Sequence, residues 1–147
     1  GFLEELIEVV LEHGLSPASI VLEVREEWLK YFAERFSNVF EEVDKAGVSI
    51  VVDHFDATHI SLADLHRFPL RGLKLDAALQ NDQNMLQSLS AISESTGIIL
   101  VAPGVEDKAR LQSLQDHGCA YAQGEALAPV MDGSGVTAVD PVMALVF

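Results

Sequence analysis

Apolar positions along the chain change period several times, and each change marks an element. Leu3, Leu6, Ile7, Val10 and Leu11 recur at i, i+3, i+4, i+7 and i+8, the stripe of an amphipathic helix, and Gly14 ends it. Ser16-Pro17 turns the chain, and the compact run Ile20–Val24 predicts a buried strand. A helical period then covers 26–46 with Trp28, Leu29, Phe32, Phe36, Val39, Phe40 and Val43 inward, closed by Gly47. Val48–Val52, rich in β-branched residues, predicts the second strand. His59–His66 reads as a short helix, and Leu73–Leu75, after the Pro69/Gly72 turn, as the third strand. Helices are expected at Met85–Ser95, before Gly97, and at Asp107–His117, before Gly118. Each leads into a short apolar run, Ile98–Ala102 and Ala120–Ala122, which supply strands four and five.

Apolar strands alternating with helices predict parallel βα units with right-handed crossovers, both faces of the sheet covered. The expected class is α/β: an incomplete TIM-like barrel of about five strands, since a closed eight-stranded barrel typically takes about 250 residues. The 147 residues, 49% of them hydrophobic, suit a single domain with a substantial core. The tail from 131 to 147 contains the apolar run Val142–Phe147 and is expected to pack on the core or cover an open edge.

Charge narrows the partners. Twenty-three acids against nine bases give a formal net charge of −14, which argues against nonspecific binding to nucleic acid or an anionic membrane, both of which need clustered Lys/Arg. A nucleotide whose phosphates are held through metal ions stays compatible with that charge. Glu4, Glu5, Glu8 and Glu12 read as the solvated face of the first helix. The single cysteine, Cys119, excludes an internal disulfide and a cysteine-based zinc site and reads as a small buried residue. No signal peptide and no apolar run of membrane-spanning length are seen, and the expected location is cytoplasmic.

Strand ends carry the candidate chemistry, because a parallel α/β sheet brings the carboxyl ends of its strands to one rim. They read VLEVRE (21–26), VVDHFD (51–56), GLKLD (72–76), ILVAPGVE (99–106) and AQGE (122–125). Glu23, Asp53, Lys74 and Gln123 are expected to converge there. Bimetallic phosphodiester hydrolysis needs two cations about 3.5–4 Å apart, bridged by carboxylates. This rim offers two carboxylates, Glu23 and Asp53. His54 adds a nitrogen that suits Zn²⁺ or Mn²⁺ better than Mg²⁺, and Pro103 adds nothing. Plainer roles stand beside these: Glu23 paired with Lys74, Asp53 capping a following helix, Gln123 satisfying backbone groups. His54, His59 and His66 lie in different local settings, which argues against a histidine metal site.

In that order, LEVRE, VDHFD, LKLD, APGVE and QGEAL resemble the EAL domain family of cyclic-di-GMP phosphodiesterases and their degenerate relatives, over residues 2 to about 130 and only for the later part of that domain. The resemblance makes Leu22-Glu23 and Glu26 the LExxE motif, with Glu23 a metal ligand. Asp53-His54-Phe55-Asp56-Ala57-Thr58 stands for DDFGTG, so Asp53 keeps the first metal-binding aspartate, His54 replaces the second, and the loop glycines, tied in the family to dimerisation and closure, are gone. Lys74-Leu75-Asp76 stands for KID, with Lys74 assisting the attacking water. Ala102-Pro103-Gly104-Val105-Glu106 stands for AEGVE: Pro103 replaces a catalytic glutamate, and Glu106 keeps the loop-anchoring one. Gln123-Gly124 matches QG, with Glu125 where an aromatic usually follows. The family's name-giving strand and its asparagine-bearing strand belong upstream of Gly1.

The expectation is therefore a catalytically inactive EAL-like regulatory or interaction domain, 1–147, in bacterial cyclic-di-GMP-related signalling. The alternatives are a cyclic-di-GMP receptor without hydrolysis, or a fragment of an active phosphodiesterase. No cofactor is expected, with Mg²⁺ or Mn²⁺ the ions if any binding persists. The expected partner is a protein or a second copy, and cyclic-di-GMP binding, if retained, would be weak.

Overall fold

A computed structural model describes residues 1–35 (the side chains of 32–34 excepted) and 38–127, with 129, 132 and 135. The expected tail cover by 136–147 lies outside the described residues.

The elements are α1 (Phe2–Glu12), β1 (Val21–Arg25), α2 (Glu26–Arg35), α3 (Val39–Lys45), β2 (Ser49–Phe55), β3 (Leu70–Leu75), α4 (Ala77–Gln80), α5 (Gln83–Thr96), β4 (Ile99–Ala102), α6 (Lys108–Asp116) and β5 (Tyr121–Ala122), with 3₁₀ turns at Pro17–Ser19 and Leu62–Arg67. Five parallel strands form one sheet in the order β1-β2-β3-β4-β5. That sequential order is the singly wound order of barrel folds, without the reversal of a doubly wound sheet.

The chain divides into two compact units, Gly1–Gly72 and Leu73 onward. In the first, Ile50, Val52, Phe55, Leu29, Phe40, Val43 and Leu65 are buried. In the second, Leu73, Leu75, Leu86, Leu89, Leu100, Val105 and Leu114 are. Acidic and hydroxyl side chains start the helices as their short polar reach allows. Asp76 accepts from the Ala78 amide, Asp82 from Met85 and Asp107 from Arg110. Gly97 ends α5 in the left-handed region, φ 77, which glycine enters at no steric cost.

Two expectations are corrected. The single helix over 26–46 is two helices, α2 and α3, the second starting after Asn38. Trp28, expected inward, is 47% exposed and meets Tyr31 edge-on at 5.6 Å, while the Arg35 guanidinium lies 4.7 Å over the Tyr31 ring. The buried face of α2 carries Glu26 and Leu29 instead, three residues apart, and Trp28 is turned away from that stripe.

Candidate functional site

In the first unit, β1 and β2 pair in parallel with Glu23 opposite Val51 and Arg25 opposite Asp53. Side chains two apart on a strand share a face, so Glu23 and Asp53 lie diagonally on one face of this pair. Glu23 is exposed and Asp53 half-buried. Asp53 sits inside β2 rather than at a helix cap. Its Oδ2 is 2.8 Å from His54 Nδ1. A carboxylate only accepts, so Nδ1 carries the proton and one oxygen of this acid is already engaged. His54 adopts φ 52, an uncommon conformation for a residue with a side chain. Here His54 serves Asp53 and does not replace the carboxylate that the resembled motif has.

Glu26 closes the LExxE spacing. It opens α2 and is 2% exposed. Its Oε1 accepts from the amides of His59 and Ile60, at 2.9 and 2.8 Å, and its Oε2 from the amide of Asp56, at 2.9 Å. A buried carboxylate is costly unless hydrogen bonds meet it, and three amides do so here. The loop after β2 is thereby tied to the first turn of α2. The LExxE spacing was the only signal of this in the sequence.

In the second unit, Lys74 is half-buried at the end of β3. Gln80, 6% exposed, donates its amide to the carbonyls of Leu75 and Pro103, at 2.9 and 3.0 Å. Position 103 therefore presents a carbonyl fixed by a neutral amide, and its pyrrolidine ring has no donor oxygen. Beyond the β4–β5 pair the backbones stay stitched together: Gln123 N donates to Ala102 O, Val105 N to Gln123 O and Ala126 N to Val105 O, at 2.9–3.0 Å. Gly124, φ 145, passes so near that a Cβ there would lie 2.3 Å from the Val105 carbonyl oxygen. Gln123 and Glu106 are both exposed. Gln80 had no sequence signal, since a helical glutamine normally reads as surface. The chain does contain a Glu-Ala-Leu run, Glu125–Leu127, but it lies in the turn after β5, not in a strand of the rim.

Glu23 and Asp53 thus place two carboxylates on one face of the β1–β2 pair, with His54 hydrogen-bonded to Asp53. Two grooves open in the first unit: a polar one of about 640 Å³ bordered by Lys30, Asp44, His59 and Arg67, and an apolar one of about 660 Å³ bordered by Ile7, Leu22, Val24, Phe40 and Ile50. Neither contains Glu23 or Asp53.

The family model of the EAL domain matches residues 1–130. The chain is 31% identical over 131 residues to the cyclic di-GMP phosphodiesterase NbdA of Pseudomonas aeruginosa, covering 84% of this chain and 17% of that protein. It is 29% identical over 131 residues to the bifunctional diguanylate cyclase/cyclic di-GMP phosphodiesterase MucR of the same organism, covering 84% and 19%. The chain spans less than a fifth of either relative. Among solved structures, the PaMucR phosphodiesterase in complex with c-di-GMP superposes with a TM-score of 0.77 at 27% identity, over 92% of this chain and 58% of that one. BlrP1 of Klebsiella pneumoniae, with manganese and cyclic-di-GMP, gives 0.77 at 30% identity, over 85% and 34%.

Proposed function

Because the chain belongs to the EAL domain family, we propose that it acts in bacterial cyclic-di-GMP signalling as a regulatory domain that does not hydrolyse the nucleotide. The observation that carries this reading is Pro103. Where the resembled motif has a glutamate, this chain has a ring without donors and a carbonyl held by Gln80. Asp53, with His54 on one of its oxygens, and Glu23 are left to hold one cation, whereas the bimetallic mechanism needs two. Losing a general base alone typically costs a factor of about 10² to 10⁴.

Lys74 and Gln123 are read as remnants of the catalytic rim, and Glu106 as the remnant of a loop anchor. The domain would act by binding a protein or a second copy of itself. A cytoplasmic location fits the signalling role, and no helix among the described residues is long and apolar enough to cross a membrane. A receptor that binds cyclic-di-GMP without cleaving it is the second reading, favoured by the MucR and BlrP1 structures, which hold that nucleotide.

Calorimetric titration of the full chain with cyclic-di-GMP, with and without Mg²⁺ or Mn²⁺, separates the two, and chromatography of the same samples reports turnover. Weak or absent heat and no linear product are expected. Metal-dependent conversion to the linear dinucleotide, abolished by Lys74→Ala, would overturn the inactive reading.

A further inference from the structure

We propose that Glu26, Asp56 and His59 form a second divalent-cation site, of zinc or manganese type, which fastens the loop after β2 to the first turn of α2. One ligating atom from each of these residues lies within 4.8 Å of the others. Ligands around such an ion at about 2.0–2.2 Å stand roughly 3–4 Å apart, so closing the loop by at most about 1–2 Å would complete the set. The donors, two carboxylates and an imidazole, are the mixture that zinc and manganese accept and that Mg²⁺ disfavours.

The site is prepared before any ion arrives. Glu26 is buried, and three backbone amides fix its carboxylate. Its Oε2 accepts only one of them and keeps a lone pair. Asp56 stands beside it, and neither carboxylate has a lysine or arginine ion-pair partner among the described residues. Two acids this close call for a proton or a cation between them.

His59 completes the donors. Thr58 Oγ1 is 2.5 Å from Asp56 Oδ1 and 2.9 Å from His59 Nδ1. A hydroxyl has one proton to give, and the carboxylate can only accept. Thr58 therefore donates to Asp56 and receives the Nδ1 proton of His59, so the other ring nitrogen is the one left to meet an ion. Both Asp56 and His59 reach solvent, so an ion can enter. Asp56 stands where the resembled DDFGTG motif has glycine. The carboxylate is a departure of this chain, and the site is separate from the Glu23/Asp53 rim.

The test uses the full chain and Zn²⁺ alone, then Mn²⁺ alone, by calorimetry, with hydrogen exchange of the Asp56, His59 and Ile60 amides as a second readout. One ion should bind at this site, those three amides should exchange more slowly when it does, and Asp56→Asn and His59→Gln should each weaken that binding at least about tenfold. Asp53→Asn should leave this binding unchanged. Glu26 is not substituted here, because losing it would also release the loop. No ion bound, Asp56→Asn and His59→Gln binding like the parent, or loss with Asp53→Asn alone would each overturn the proposal.

Discussion

Glu26 shows how one side chain can organise a loop. Its three amide partners lose their only acceptor among the described residues in Glu26→Ala, and an unmet buried amide costs about 1–3 kcal/mol. With water reaching part of the loop, a loss of about 2–4 kcal/mol is expected in urea denaturation, where an unchanged midpoint would contradict the role. Gly124 is constrained by space rather than polarity: Gly124→Ala places a Cβ 2.3 Å from the Val105 carbonyl oxygen at φ 145. Strain of about 1–3 kcal/mol should lower stability and speed exchange of the Val105 and Ala126 amides. Cys119 gives a pH signature. Burial pushes its thiol from 9.0 up to about 11, so the fold favours the protonated form. That contribution is fully present below about pH 9 and is lost as pH rises toward 11. Native protein should resist alkylation at pH 8, react once unfolded, and lose less stability between pH 9 and 11 as Cys119→Ala. Rapid alkylation of the native chain would place the thiol at the surface.

At the scale of elements, the strands were legible because β-branched and apolar runs bounded by glycine or proline have few other readings. All five strands are present, with ends shifted by up to three residues, as β2 and β3 show. The break between α2 and α3 was not legible, because Phe36, Val39 and Phe40 continue the apolar period across it. Nor was the outward Trp28, since a period assigns faces by hydrophobicity and α2 buries a carboxylate. The motifs placed Glu23, Asp53 and Lys74 on strands, as found. Roles that depend on a loop folding back, those of Glu26 and Gln80, have no period to announce them. The helix starts are directly testable. Asp82 caps the 14-residue α5 by accepting from the Met85 amide at 3.0 Å, so Asp82→Ala should cost about 1 kcal/mol in thermal unfolding. Asp82→Asn, which keeps the acceptor, should restore most of it; equal losses would point to charge rather than capping.

For the molecule as a whole, net charge and apolar edges oppose each other. β1 and β5 are the end strands of the sheet, and each presents a large apolar side chain, Val21 at 52% and Tyr121 at 41% exposure. Beside β1 runs the apolar groove bordered by Ile7, Leu22, Val24 and Phe40. Strand edges of this kind favour pairing with another chain. Against that stands a formal charge of −14, which keeps like copies apart at low salt. The Debye length falls from ~30 Å at 0.01 M to ~3 Å at 1 M salt, so repulsion fades while apolar attraction does not. Self-association should therefore increase with salt in sedimentation velocity, opposite to the behaviour of an ion-pair interface. Val21→Lys places a charge on the edge and should shift the salt-induced species back toward monomer, with Tyr121→Lys as the matching probe at β5. Deleting residues 136–147 addresses the expectation that the tail covers an edge, because exposing a covered edge should raise association further. A chain that stays monomeric at every salt concentration, with and without that tail, would leave neither edge a role in self-association, and the regulatory reading would then need a different protein as its partner.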